Sequence, residues 1–146
     1  MKMLSALFFT WLFFTPAIWE TNFSEAKIDA SKNHKFILLN FSGSDWCAPC
    51  IRLKKTIFES ESFTTYASEN LALVNADFPR QNKHKLSQDQ KRINEDLAGK
   101  YNPDGKFPYT ILMTANEKVL KQWEGLPSLT DKQFVDEIKQ IVDANR

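Results

Sequence analysis

Residues 36–50 read FILLNFSGSDWCAPC. The first six of them form a compact apolar run, and the polar residues 42–44 close it. A run of this length and composition predicts a strand that is buried on both faces. The chain then reaches Cys47 and Cys50, two cysteines separated by two residues.

The residues after Cys50 carry a helical pattern. Leu53 and Ile57 are four positions apart, and Ile51 and Phe58 are seven apart. Both spacings place side chains on one stripe of an α-helix, which predicts that the stripe is buried. The cysteine pair is therefore expected at a junction between a strand and a helix.

The rest of the chain alternates between helical and extended patterns. Ser87 and Gln90 form a capping-box pattern at the start of one predicted helix. Ile93, Leu97 and Tyr101 form the buried edge of this helix. Before it, the sequence predicts a short surface helix over 24–33, a strand over 71–78 ended by Pro79, and a solvated basic loop over 80–85. After it come a hairpin of strands over 109–113 and 118–123 and an amphipathic helix over 134–142. Strands separated by helices are parallel, whereas a hairpin is antiparallel. The order predicts an α/β domain with a mixed sheet.

The two cysteines suit thiol–disulfide exchange. On the first turn of a helix, unpaired amides and the helix dipole would stabilise a thiolate at Cys47, which is the form that attacks a disulfide. Cys50 would then resolve the mixed disulfide. Pro49 is tolerated in the first helical turn, and the dipeptide of Ala48 and Pro49 is expected to tune the redox properties of the pair.

Two other roles for the cysteines stay open. A zinc site would need two further ligands, and His34 and His84 stand alone without metal-ligand spacing. A purely structural disulfide is compatible with a secreted chain, although so short a loop constrains the unfolded state little. We predict no metal and no cofactor beyond the cysteine pair itself.

The N-terminus has the order of a secretory signal peptide: Lys2, an uninterrupted apolar run, then Pro16 and small residues. We predict residues 1–17 as the signal peptide and 18–146 as the mature domain. A retained signal anchor is the alternative, since the run is somewhat short for the roughly 20 residues that span a bilayer. Export would place the cysteines in a periplasmic or secreted location where disulfides persist.

Charge and size limit the other possibilities. The 146 residues carry 19 Lys and Arg against 18 Asp and Glu, so no whole-molecule field draws the chain to nucleic acid. The length suits one domain with one core. A monomer is the expected state, because the two cysteines leave none for a bridge between chains.

The sequence resembles the thioredoxin superfamily over nearly the whole of residues 19–146. The resemblance lies in Trp46 to Cys50 at the end of an apolar strand, with Phe107 and Pro108 before a later strand. Residues 40–47 and 76–80 are similar to secreted bacterial thioredoxin-like proteins in particular. The resemblance implies a thioredoxin fold, with a central mixed β-sheet flanked by helices on both faces.

The resemblance also implies a substrate site. The proline that Pro108 matches is cis and packs against the cysteines, where it blocks close approach of a metal. It leaves the backbone of Phe107 free to pair with an extended substrate. An ordinary trans turn proline is the alternative for Pro108. Trp46 is expected to form a flat apolar wall over the site, or else simply to pack.

The chain departs from this family on the strand before the cysteine motif. Cytoplasmic thioredoxins have a buried aspartate on the strand before the motif, and its nearest counterpart here is Asn40. An amide cannot perform acid–base chemistry. Asp45 and Glu59 are near in sequence, but a solvated surface role is predicted for each, so the base stays unassigned. The charge of Asp45 would slightly oppose formation of a thiolate.

These observations predict an extracytoplasmic thiol–disulfide oxidoreductase. Reduction of protein disulfides is favoured, because no histidine stands between the cysteines to stabilise the thiolate. A reductant there would need a membrane electron donor. The alternatives are a disulfide oxidase or isomerase, and a non-catalytic module that binds extended peptides.

Overall fold

The computed structural model describes residues 16–146. The predicted signal peptide therefore lies outside the described residues as far as Thr15. The strands are β1 (Trp19–Glu20), β2 (Phe36–Ser42), β3 (Leu71–Asp77), β4 (Tyr109–Met113) and β5 (Val119–Glu124). The helices are α1 (Phe23–Lys32), α2 (Ala48–Leu53), α3 (Glu61–Asn70), α4 (Gln88–Tyr101) and α5 (Asp131–Ala144). A π-helical stretch (Lys54–Phe58) and a 3₁₀ turn (Asn82–His84) complete the elements of this region.

The strands form one mixed sheet in the order β1-β3-β2-β4-β5. Strands β1, β3 and β2 are parallel, and β4 and β5 are antiparallel to their neighbours. This confirms the predicted mixed sheet and its hairpin. The two-residue β1 was not predicted, because so short a strand has no periodicity to reveal it.

Helices cover both faces of the sheet. Alternate residues of a strand point to opposite faces, so Leu38 packs with α2, α3 and α5, whereas Ile37 and Leu39 pack with α1 and α4. The first layer is rich in aromatic residues, and Phe63 and Phe134 are fully buried there. The thioredoxin fold with helices on both faces is confirmed.

The helix after the cysteines differs from the prediction. Leu53, Ile57 and Phe58 are buried, but Ile51 is 38% exposed, so Ile51 does not belong to the buried stripe. The reason is the π-helical stretch (Lys54–Phe58) that directly follows α2. A wider turn breaks the 3.6-residue period and rotates Phe58 into the core while Ile51 stays outside.

Two further differences concern helix starts. The Ser87 hydroxyl accepts the Gln90 amide as predicted, at 3.1 Å. The Gln90 side chain does not complete a capping box, because it donates to the Thr21 carbonyl and to Asn94 Oδ1 instead. Helix α3, which starts after the cap Ser60, had no predicted counterpart.

Within residues 16–146, no helix is both long and apolar enough to cross a membrane.

Candidate active site

The two cysteines lie at the edge of the sheet where parallel strands β2 and β3 end. Ser42 and Asp77 are paired at that edge, and the chain turns through residues 43–46 into α2. Cys47 is the N-cap of α2, and Cys50 lies in its first turn. A disulfide joins the two residues, with Cα atoms 5.2 Å apart. The structure thus places the motif at the predicted strand-to-helix junction.

The backbone around the disulfide favours negative charge on one sulfur. The Cys50 amide donates to Cys47 Sγ at 3.3 Å, and the Cys47 amide donates to the Gly43 carbonyl at 2.9 Å. Ala48 and Pro49 are exposed, and Pro49 occupies the first turn, where no amide hydrogen is needed. Both cysteines are 4% exposed, so exposure does not distinguish them. The Cys50 amide does distinguish them, because it is directed at Cys47 Sγ, where it would stabilise a thiolate once the disulfide is reduced.

Trp46 is held from several sides. Its indole N–H donates to the Phe78 carbonyl at 2.8 Å, and its ring meets that of Phe107 edge-on, with centroids 5.5 Å apart. The Arg80 guanidinium carbon lies 3.6 Å from the centroid of the indole. A methyl group on Gly43 would come within 2.3 Å of the same ring, so only glycine leaves room for it. The structure therefore brings two predicted site residues, Trp46 and Phe107, into contact.

Hydrogen bonds stabilise the turn that contains Phe107 and Pro108. The peptide bond between them is cis, as the resemblance implies. The buried Asn102 side chain bonds both the amide and the carbonyl of Lys106, and the Gly125 amide donates to the Pro108 carbonyl. Within residues 16–146, the backbone amide and carbonyl of Phe107 have no hydrogen-bond partner. These two groups are free to pair with another chain.

Asp45 is not the solvated residue that was predicted. Its side chain is only 3% exposed. The carboxylate accepts the amides of Arg80 and Gln81, each at 2.9 Å, and lies 3.0 Å from His84 Nδ1. The hydrogen bond from the Arg80 amide, with help from His84 and against the effect of burial, lowers the Asp45 pKa from 3.8 to about 2. Asp45 ties the segment after β3 to the cysteine motif.

Asn40 is buried behind the resolving cysteine. Its amide donates to Asn75 Oδ1 at 2.9 Å and its oxygen accepts the Thr110 hydroxyl at 3.0 Å. Asn40, Asn75 and Cys50 line the same cavity of about 300 Å³. Glu59 also lines this cavity, but it is 55% exposed and lies 3.8 Å from Lys54, in agreement with its predicted surface role.

The two histidines do not gather metal ligands. His84 bonds Asp45, and His34 follows α1 in the left-handed region, with φ 54°. In the part of the chain that the structure describes, His, Cys, Asp and Glu side chains form no group of three or more that could hold a metal ion. The disulfide itself occupies both cysteine sulfurs.

Three residues of the site were not identified from the sequence: Gly43, Phe78 and Arg80. The topology contains the signal that would have found Phe78 and Arg80. Parallel neighbours end at the same edge of a sheet, so the residues after β3 must lie beside those after β2. Phe78 and Arg80 directly follow β3, and the cysteine motif directly follows β2.

Comparisons with known proteins agree with this geometry. A family model described as thioredoxin-like matches residues 18–113. Two curated relatives from Chlamydia pneumoniae are similar: "Disulfide bond reductase DsbH", 37% identical over 102 residues, and "Thioredoxin-related protein DsbJ", 23% identical over 129 residues. The alignments cover 70% and 88% of this chain but only 59% and 36% of those relatives. A solved structure described as "DsbH Oxidoreductase" superposes with a TM-score of 0.79 at 29% identity, covering 88% of this chain and 86% of that one. The matching family model, the fold and the placed cysteine pair lead to one conclusion: this chain belongs to the thioredoxin-like family.

Proposed function

We propose that this chain is a thiol–disulfide oxidoreductase that reduces disulfides in partner proteins. The observation that carries the proposal is the position of Cys47 at the N-cap of α2, where its sulfur accepts the Cys50 amide at 3.3 Å. In the reduced protein, this donor would stabilise a thiolate at Cys47. The second sulfur is already within bonding distance, as the disulfide demonstrates.

The exchange would proceed in two steps. The Cys47 thiolate attacks one sulfur of the substrate disulfide, forms a mixed disulfide, and releases the other substrate sulfur as a thiolate that takes a proton. Cys50 then loses its proton and attacks Cys47 Sγ, which forms the Cys47–Cys50 bond and releases the second substrate thiol. The substrate gains two electrons and two protons, and the protein is left as the disulfide seen here.

The substrate would bind as an added strand. The free backbone amide and carbonyl of Phe107 can pair with an extended segment of a partner. Trp46 and Phe107 form the apolar surface beside that segment, and both are half-buried rather than enclosed. Pro108, the next residue, is buried.

The reducing direction has two supports. One relative carries the name "Disulfide bond reductase", although this chain spans about three fifths of its length. The dipeptide between the cysteines, Ala48 and Pro49, contains no histidine that would stabilise the reduced form. A reductase consumes its own dithiol, so it needs an electron donor that restores it after each cycle.

We place the protein outside the cytoplasm on the pattern of its first 17 residues. The electron donor would then be membrane-associated, since such compartments are kept oxidising. Mass spectrometry of the full chain, expressed in a bacterium and recovered from the periplasm, tests this placement. A mass that begins at Ile18 supports it, and an uncut chain in the cytoplasm contradicts it.

The reduction potential tests the direction of exchange. The purified protein is equilibrated in glutathione or dithiothreitol buffers, and the oxidised fraction of Cys47 and Cys50 is measured. A value near about −270 mV supports a reductase, whereas one near about −120 mV identifies an oxidase. A pair that stays oxidised well below about −300 mV is a structural disulfide and overturns the proposal.

Two matched variants test the roles of the cysteines. Cys50→Ser should trap a mixed disulfide between Cys47 and a substrate, because the resolving thiol is absent. Cys47→Ser should trap none and should lose at least 1,000-fold of the exchange rate, an order of magnitude typical of a lost nucleophile. Trapping by Cys47→Ser alone would reverse the assignment. Full biological function of Cys47→Ser would identify a non-catalytic peptide-binding module.

A further inference from the structure

The segment after β3 carries positive charge and no acid. Residues 78–88 include Arg80, Lys83 and Lys85 together with His84, and contain no Asp or Glu. All four side chains are exposed. We call residues 80–85 the basic segment.

The basic segment is fixed beside the cysteine motif. The Asp45 carboxylate, two residues before Cys47, accepts the amides of Arg80 and Gln81 and bonds His84. The Arg80 guanidinium also lies over the Trp46 ring. Arg80 is therefore held against a residue of the site, and Lys83 and Lys85 flank His84 in the same anchored segment.

The charge of the basic segment is not neutralised by neighbouring acids. Among residues 16–146, no carboxylate lies within 4 Å of the Arg80, Lys83 or Lys85 side-chain nitrogens. Lys106, the residue before Phe107, differs because it pairs with Glu124 and Asp104. The one carboxylate bound to the segment, that of Asp45, is buried and faces away from solvent. An approaching partner thus meets uncompensated positive charge on this side of the disulfide.

We propose that the basic segment recognises acidic residues that flank the reacting cysteine of a partner polypeptide. This inference rests on the proposed function, because it concerns the partner of the same exchange reaction. The Trp46 ring touches both Phe107 and Arg80. A substrate strand that pairs with Phe107 and brings its sulfur to Cys47 therefore passes close to Arg80. Side chains of that strand can then reach the Arg80 guanidinium. Complementary charge raises the association rate and discriminates against basic partners.

Three peptides with the same internal disulfide test the inference. They differ only in flanking residues, which are Asp and Glu, Gln, or Lys. The reduced protein should reduce the acidic peptide about tenfold faster than the neutral one at 20 mM salt, and the Lys peptide more slowly than either. The ratio of acidic to neutral rates should approach one at 0.5 M salt, because screening removes attraction between exposed charges.

A pair of variants with equal charge change separates the basic segment from net charge. Lys83→Gln with Lys85→Gln should lower the acidic-to-neutral ratio at least threefold. Lys118→Gln with Lys132→Gln removes two exposed cations from the β4–β5 turn and the start of α5, and it should leave the ratio unchanged. Circular dichroism confirms that each variant is folded.

Three outcomes would overturn the inference. Equal reduction rates for the three peptides would overturn the inference while leaving the proposed function intact. An equal fall of the acidic-to-neutral rate ratio in the two double variants would show that net charge, and not the basic segment, causes the preference. If equal rates were accompanied by Lys83- and Lys85-dependent binding to vesicles of anionic lipid, the segment would be a membrane contact. Reduction of none of the peptides would overturn the proposed function and this inference with it.

Discussion

Two buried polar side chains lie on opposite sides of the cysteine motif and differ in charge. Asp45 is a carboxylate with 3% of its side chain exposed, and it is bonded by two backbone amides and a histidine. Asn40 is a neutral amide, 5% exposed, and it is bonded by Asn75 and Thr110. The charge lies on the side of Trp46, and the neutral group lies on the side of Cys50.

The difference shows how position decides what a buried acid can do. The Asp45 carboxylate is fully engaged in holding the segment after β3, and those bonds lower its pKa to about 2. It is therefore a poor proton acceptor at neutral pH. Asn40 lines the cavity behind Cys50, but its amide neither takes up nor releases a proton near neutral pH. In this chain the acid positions the backbone, and the residue behind the resolving cysteine supplies only hydrogen bonds.

A negative charge introduced at position 40 should have the largest effect on stability. Asn40→Asp places a carboxylate in a site built for an amide, so we expect a loss of about 3 kcal/mol in the free energy of unfolding at pH 7. Burial should raise the pKa of the new carboxyl, and its charge should raise that of the Cys50 thiol. Urea unfolding and titration of Cys50 in the reduced protein measure the two effects.

Two variants control for the Asn40→Asp effect. Asn116→Asp adds the same charge at an exposed turn and should change stability by less than about 0.5 kcal/mol. Asn75 is the register partner of Asn40, so Asn40→Asp with Asn75→Lys should recover part of the loss. An Asn40→Asp protein as stable as the original would show that the cavity already solvates charge.

Removing charge from Asp45 should have the next largest effect. Asp45→Asn replaces two acceptor oxygens by one, which leaves an amide of Arg80 or Gln81 without its partner. We expect the melting temperature to fall by about 5 °C. Hydrogen exchange at residues 80–84 should accelerate more than at β4. Unchanged protection of residues 80–84 would contradict the bracing role of Asp45.

The contrast between these two residues marks what the sequence could predict. The apolar run of β2, the cysteine spacing and the period of α5 are local patterns, and each predicted its element correctly. The predicted surface role of Asp45 was wrong because its burial depends on the return of residues 80–84 across the sheet edge, a contact over some 35 positions. The packing of Asn40 against Thr110 depends likewise on the register of β2 with β4. Long-range register is what a single sequence leaves open.

Filling the space beside Trp46 should have a smaller effect on stability. Gly43→Ala brings a methyl group within 2.3 Å of the indole, so the ring must move, at a cost of about 1 kcal/mol. The hydrogen bond from Trp46 to the Phe78 carbonyl should be lost, and exchange with peptide substrates should slow severalfold. Fluorescence of Trp46, obtained as the difference from the matching Trp46→Phe protein, reports the movement.

Gly99→Ala is the matched control for Gly43→Ala. Gly99 lies in α4, and apart from its chain neighbours and the backbone of its own helix, no heavy atom would lie within 4 Å of its added methyl group. Alanine is the better helix former by about 1 kcal/mol, so this variant should gain stability while Gly43→Ala loses it. Equal changes in the two variants would mean that Trp46 adapts without cost.

The smallest effect, and the sharpest test of the comparison, is the dependence of stability on pH. Asp45 has a folded-state pKa of about 2, below its ordinary 3.8, so its contribution is full above about pH 4 and is lost as pH falls towards 2. Glu117 behaves similarly, because Lys100, Lys27 and Tyr101 bond its carboxylate and lower its pKa from 4.5 to about 2. The acid limb of the original protein alone does not isolate Asp45.

The difference between the original protein and each variant does isolate it. For Asp45→Asn the stability gap should be constant above pH 5 and should close between about pH 4 and 2, because only there does the original carboxylate become protonated. For Asn40→Asp the gap should close at higher pH, since a carboxyl with a raised pKa becomes neutral first. Urea midpoints from pH 2 to 8 give both curves. If the two stability differences disappeared over the same pH range, carboxyl groups at positions 40 and 45 would have similar pKa values. The proposed difference between the hydrogen-bonded acid Asp45 and the uncharged site of Asn40 would then be wrong.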